Sequence, residues 1–319
     1  MLALPGSAAR ELTHRHVIEM VKWRRHNGGE TRMNFKNLIA GLVLSCFGAG
    51  LGCAEISATN RPFPGIAVHS EIRTNPPQRL FVAEIDLTNP KVRLHVAPGG
   101  ADPDGAGPWE TTLLPPTRIA AREKFDLVVN GDFYEVPRSD GGSLSNLTYR
   151  IAGWAAVNGP AVSAGRVWST TAAPRPCLVV EQSGRVGIRD VAQPRPTDRE
   201  VVAGNLILLR NGKIVPSDNK VRHPRTVVGL NKDATKMTLL VVDGRKPGVA
   251  LGMNYDELTA EMVRLGCHDA LNLDGGGSSV LAVRDPAKDE FKILNAPTDG
   301  RERAVGNVLG VSVERDSKR

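Results

Sequence analysis

Residues 271–281 read LNLDGGGSSVL. An apolar run ends on the carboxylate of Asp274. Gly275, Gly276 and Gly277 follow, then the hydroxyls of Ser278 and Ser279. Glycine loses more conformational freedom on folding than any other residue, so three in succession call for a structural reason. Successive N–H groups in glycine-permitted conformations can form a concave anion nest. The two hydroxyls can add hydrogen bonds to phosphate or sugar oxygens. The stretch is not a Walker loop, because no GKS or GKT is present and no helix is expected directly after it. A second acidic corner, Asn130-Gly131-Asp132-Phe133-Tyr134-Glu135, also follows an apolar run, and a third, Asp243-Gly244-Arg245, ends another. Acids at the ends of three strands would line one shared cleft, although each Asp-Gly or Asn-Gly step alone is also an ordinary turn. Arg225 and Thr226 open the run HPRTVVGL. A guanidinium there can clamp a phosphate bidentately or simply make a surface salt bridge. The polar loop NAPTDGRER (295–303), which holds Glu302, precedes the last apolar run.

The elements that must position these residues read as strands with few helices. LFVAEIDL (80–87) and KVRLHVA (91–97) alternate apolar and polar residues across an Asn-Pro turn and predict a hairpin. DLVVN (126–130) is a strand, preceded by a short helix over 117–124. NLILLRNGKIV (205–215) predicts a hairpin on its Asn-Gly turn. TVVGLNKDATKMTLLVVDGR (226–245) predicts another whose return strand is central and buried. MNYDELTAEMVRLGC (253–267) is the clearest helix, with Asn254 as N-cap, Glu257 at the capping-box position and Gly266 as the stop. DALNLD (269–274), SVLAV (279–283) and VLGVSV (308–313) are further strands. The expectation is an α+β fold: one domain over 79–319, a large mixed and mostly antiparallel β-sheet with a few packed helices, preceded by a linker or arm over 55–78.

The 319 residues carry a formal net charge of +7, but the first 54 hold seven Lys/Arg against three Asp/Glu. The remainder is close to balance, with few aromatics and no long basic run, which argues against a nucleic-acid binder. From Met33, a lysine precedes a short apolar stretch and then small residues. This reads as a cleaved secretory signal ending near Ala54, too short and Gly-rich for a spanning helix. The mature chain is thus expected to be exported, periplasmic or secreted, without a transmembrane span. A lipidated Cys53 is the alternative, and Met33 reads as the true start, leaving 1–32 without a role. Cys177 and Cys267 remain in the mature chain, either as a disulfide or as two buried thiols. There is no CxxC, HExxH or Cys/His cluster, so no structural zinc site is expected. Clustered aspartates leave room for a divalent cation.

Taken together, NGDFYE, HPRTVVGL, VVDGR, the helix ending LGC, NLDGGGSSVL and NAPTDGRERAVGNVLGV resemble, in the same order, the phosphodiester glycosidases, over roughly residues 80–315. The Asn130–Glu135 corner departs somewhat, with Asp132 where the family often has a neutral residue. The resemblance implies hydrolysis of a sugar-1-phosphodiester of the α-N-acetylglucosamine type, on an envelope or extracellular glycan, with no obligatory cofactor. The developing charge at the anomeric carbon then needs a carboxylate. Asp274 and Asp243 are the first candidates, followed by Asp132 and Glu302. Asn130, Gly131, Arg225, Thr226, Arg245, Gly275, Gly276, Gly277, Ser278 and Ser279 are the candidates for holding phosphate and sugar. The competing expectation is a non-catalytic carbohydrate-binding or exopolysaccharide-assembly protein of the envelope.

Overall fold

The computed structural model describes residues 54–137 and 149–315. The signal segment, Met33, Cys53 and the 1–32 extension lie outside them. Numbered along the chain, the described residues form twenty-two strands and two α-helices. The largest sheet has nine strands. It runs in the order β1 (Ala54–Ile56), β3 (Ile66–Thr74), β4 (Pro77–Asp86), β18 (Lys236–Val242), β17 (Arg225–Leu230), β19 (Asp269–Asn272), β15 (Leu206–Arg210) and β16 (Lys213–Ile214), with β2 (Asn60–Phe63) also on β3. A five-stranded sheet is ordered β21 (Glu290–Ile293), β20 (Leu281–Asp285), β7 (Leu127–Asn130), β22 (Asn307–Val313) and β5 (Val92–Pro98). A second five-stranded sheet is ordered β11 (Arg166–Ser169), β10 (Ala161–Ser163), β14 (Asp198–Ala203), β12 (Arg175–Glu181) and β13 (Val186–Val191). A small sheet joins β6 (Thr111–Thr112), β9 (Trp154–Val157) and β8 (Tyr134–Glu135). The pairings between these strands are antiparallel. The α+β expectation holds, with the strands divided among four sheets.

The large sheet is buried on both faces, so its central strands read as apolar runs. On β18, Leu240 and Val242 face helix α2 (Tyr255–Arg264), packing with Leu258 and Met262. Met237, Leu239 and Val241 face the other way, into the main core with Leu127, Leu281, Leu309 and Val311 of the β7 sheet. Asn254 caps α2 by accepting from Glu257 N–H at 2.9 Å, and Glu257 returns a bond to the Asn254 N–H. Such a box contributes about 1 kcal/mol. Helix α1 (Pro116–Glu123) lays Ile119 and Ala120 on Val128 and Val308.

Two expectations are corrected. Residues 55–78 are no linker: they supply β1, β2, β3 and the start of β4. β4 and β5 form no hairpin, because β4 pairs with β3 and β18 whereas β5 pairs with β22. The chain turns at Asn89-Pro90 from one sheet to the other, and Ile85 of β4 and Val92 and Leu94 of β5 join the same core. Alternation reports which face a strand buries, not which edge it pairs. The other hairpins form as read, β15–β16 around Asn211 and Gly212, both at positive φ, and β17–β18.

Candidate active site

The site gathers where β7 and β19 end and β17 begins. β19 runs into Asp274, and its N–H donates to Gly131 O at 3.0 Å. Asn130, the last residue of β7, locks the junction. Its Nδ2 donates to Asp274 O at 2.7 Å, and its Oδ1 accepts from Thr226 Oγ1 at 2.8 Å and from Val280 N–H at 3.2 Å. Asn130 and Thr226 are fully buried, so every such bond stands in for lost water. The first and second acidic corners are thereby brought side by side.

The glycine corner closes as one turn of 3₁₀ helix over Gly276–Ser278. Gly276 has φ +63°, and a Cβ on it would lie 3.1 Å from the Arg245 guanidinium. A Cβ on Gly277 would collide with the Arg303 guanidinium. The glycines therefore let two arginines press onto the loop. The expected anion nest is corrected here. Gly275 N–H bonds its neighbour's Asp274 Oδ1 at 2.7 Å, Gly276 N–H bonds Pro224 O at 2.9 Å, and the Ser278 and Ser279 N–H groups bond Gly275 O and Gly276 O. Those four donors are already occupied, and the positive charge against the turn comes from Arg245 and Arg303 instead. The hydroxyls of Ser278 and Ser279 are buried; that of Ser278 lies against the Asp274 carboxyl and favours its charged form, and that of Ser279 completes no hydrogen bond.

Asp132 is 3% exposed. Its Oδ1 accepts from Phe133 N–H at 2.7 Å, its own N–H donates to Asn307 Oδ1 at 2.7 Å, and its Oδ2 is buried without a partner. Burial pushes its carboxyl up to about 7. The Asp274 charge adds to the rise, while the Phe133 and Gly159 N–H groups and Arg175 oppose it. Burial likewise pushes the half-buried Asp274 up to about 6, against the pull of Ser278, the Gly275 N–H, Arg303 and Arg245. Tyr134 stands beside Asp274, donates its hydroxyl to Ala304 O at 2.9 Å and is raised by burial. Arg303 lies 4.3 Å over the Tyr149 ring and pairs with Asp299 at 2.8 Å. Arg245 approaches His223 Nδ1 at 3.3 Å, and burial with two nearby arginines lowers the imidazole's pKa, favouring the neutral ring that can accept.

Three expected site residues point elsewhere. Asp243 turns both oxygens onto the Ala296 N–H, at 3.0 and 3.2 Å, and Oδ1 also meets Asn295 Nδ2. It anchors the loop that delivers Arg303. Glu302 binds the N–H and hydroxyl of Thr117, at the start of α1. Arg225 is 5% exposed, donates to Met253 O and Val221 O at 3.1 Å and covers the Tyr255 ring at 4.2 Å. Period-two alternation explains this: Thr226 faces the site, so Arg225 faces α2. Cys177 and Cys267 are both free. Cys177 packs on β12 with Val201 and Ala203, whereas Cys267 packs beyond α2, so the disulfide alternative falls. Among the described residues no group of three or more His, Cys, Asp or Glu is arranged to hold a metal ion.

The profile of the phosphodiester glycosidases matches residues 123–312. The chain belongs to that family. All of the corners described above lie inside the matched span. A Bacillus subtilis SPbeta prophage protein, YomE, is 37% identical over 100 residues, which are 31% of this chain and 14% of that protein's length. In fold, the chain resembles the catalytic domain of zebrafish N-acetylglucosamine-1-phosphodiester alpha-N-acetylglucosaminidase, auto-inhibited by its pro-peptide. The TM-score is 0.57 at 17% identity, covering 84% of this chain and 90% of that one. A candidate exported protein of Burkholderia pseudomallei gives a TM-score of 0.58 at 14% identity, covering 89% and 100%. No helix among the described residues is long and apolar enough to cross a membrane.

Sequence reasoning passed over Arg303, Tyr134, Asn307 and Arg175 as site residues. Arg303 sits among three consecutive charged residues, and nothing in that run distinguishes it from Arg301 or Glu302. Tyr134 lies within the Asn130–Glu135 corner, and its aromatic ring is the signal the sequence offers.

Proposed function

We propose that the protein is an exported hydrolase that cleaves the sugar–phosphate bond of a sugar-1-phosphodiester on an envelope or extracellular glycan. The observation that carries this reading is the pair of neighbouring carboxyls, buried Asp132 and half-buried Asp274, beside a glycine turn bracketed by Arg245 and Arg303. The leaving group is a phosphate monoester whose second ionisation lies near ~6, so it needs little protonation. It does need its charge held, which Arg245, Arg303, Ser278 and Ser279 are suited to do in a partly dry site. As the bond from the anomeric carbon to the phosphate oxygen breaks, its electron pair leaves on phosphate. Positive charge grows at carbon, and the ionised Asp274 stabilises it. Water adds to that carbon and gives its proton to Asp274. Asp132, neutral through burial, hydrogen-bonds the substrate without adding a second negative charge. Asp243 and Asn130 position the loops, and no step requires a metal.

The test is release of free sugar from a panel of α-linked sugar-1-phosphodiesters, N-acetylglucosamine first, by protein beginning at Glu55. Asp274→Asn is run in parallel, and both proteins are assayed with and without chelator. Turnover by the wild type and not by a folded variant is the expected result. Binding without turnover would replace the hydrolase reading with the carbohydrate-binding one, and loss on chelation would add a cation.

A further inference from the structure

A third arginine stands on the Asp132 side of the site. Gly159 lies between the two: a Cβ placed there would be 3.2 Å from Asp132 Oδ2 and 3.6 Å from Arg175 Cβ. Arg175 begins β12, two residues before the buried Cys177, and its side chain is exposed. Across the ladder, Pro176 faces Asp190, whose carboxylate is engaged by Arg210 at 2.8 Å. No ion pair to Arg175 is formed among the described residues. Nor does the guanidinium neutralise Asp132, whose Oδ2 is left buried and without a hydrogen-bond partner. A docked arginine would have satisfied that oxygen. Arg245 and Arg303 already flank the glycine turn beside Asp274, where the phosphate is read to leave. The third cation is therefore surplus to a substrate with one phosphate.

We infer that Arg175 recognises a second anionic group carried by the sugar itself, so that the substrate class is a glycan with negative charge on both sides of the scissile bond, such as a chain of sugars joined by phosphodiesters. Such a polymer places one phosphate at the anomeric carbon and another elsewhere on the same ring. An unpartnered, solvent-reaching guanidinium beside a buried carboxyl is a group fitted to select it over a neutral glycone. The inference rests on the hydrolase reading above and adds the charge of the sugar to it.

The probes are α-N-acetylglucosamine 1-phosphate and its 1,6-bisphosphate, titrated calorimetrically into wild type and Arg175→Gln. The quantity read is the ratio of the two dissociation constants, which a general loss of folded protein does not move. The wild type is expected to bind the bisphosphate at least about tenfold more tightly, consistent with one added charge-assisted contact. In Arg175→Gln the ratio should fall to about one. A ratio near one in the wild type, an unchanged ratio in the variant, or no binding of either compound would overturn the inference. Hydrolysis of a simple diester by the wild type is measured separately. Turnover with a ratio of one removes the Arg175 inference alone, and no turnover removes the hydrolase reading whatever the ratio.

Discussion

Glu71 and Asp132 are equally hidden, 2% and 3% exposed, yet burial has opposite outcomes for them. Glu71, on β3, accepts from Arg73 at 2.7 Å and from Arg264, and both arginines also bind Glu261 of α2. Burial alone would raise its carboxyl, but Arg73 and Arg264 outweigh it and hold the group below its usual range. Asp132 has no such partner and rises to about 7. Both oxygens of Glu71 are used to fasten α2 to the large sheet. One oxygen of Asp132 is kept dry and unspent beside a second carboxylate. Burial does not distinguish a structural acid from a reactive one; the partners do.

The largest effect that sharpens this contrast is on turnover. Asp274→Asn should lower hydrolysis of a sugar-1-phosphodiester by about 10³-fold, whereas Glu71→Gln should leave it within about twofold. Initial rates on protein checked by circular dichroism decide it. Next, Arg303→Gln should cost about 10²-fold in kcat/KM by removing charge at the leaving phosphate. Arg225→Gln should instead lower the melting temperature, because its guanidinium serves carbonyls and the Tyr255 ring.

Stability should then separate the two acids by sign. Glu71→Gln leaves Arg73 and Arg264 with Glu261 alone and should destabilise by about 2–3 kcal/mol near neutral pH, at or below the lower end for breaking a buried pair because Glu261 remains and Arg264 reaches solvent. Because the native pKa of Glu71 is depressed, that stabilisation is present above the unfolded carboxyl's pKa and is lost as pH falls through the native one. Asp132 is the reverse. Its native pKa lies above 3.8, so the native state binds more protons between that value and about 7, and stability falls as pH rises through that window. Asp132→Asn should therefore raise the melting temperature at pH 8 and leave it nearly unchanged at pH 4. Thermal melts at the two pH values check both signs. The smallest effect is on the wild-type pH–rate profile. Activity needs Asp274 ionised and Asp132 neutral, so it should rise through about pH 6 and fall above about 7.

Much of this is legible in the sequence, where the information is local. The capping box at Asn254 and Glu257, the Asn211-Gly212 turn and the apolar return strand β18 depend on neighbours in sequence. So does the triple glycine, whose type announces a close approach without naming what approaches. The partners were not legible. Arg245 and Arg303 reach the Gly275–Ser279 loop from positions 30 residues before it and 24 after it. Asp243 and Glu302 differ from Asp274 only in where their oxygens turn, which tertiary packing decides. The sheet of β10 to β14 was passed over because its strands are short and separated by Gly, Pro and Ser turns, although PCLVVE and DREVVA carry its buried faces.

The most direct test of the central claim is hydrolysis in water labelled with oxygen-18, followed by mass spectrometry of both products. If Asp274 and Asp132 act on the anomeric carbon, one labelled oxygen appears in the sugar and none in the phosphate monoester. Label in the phosphate would show attack at phosphorus and would contradict the account of the carboxyl pair.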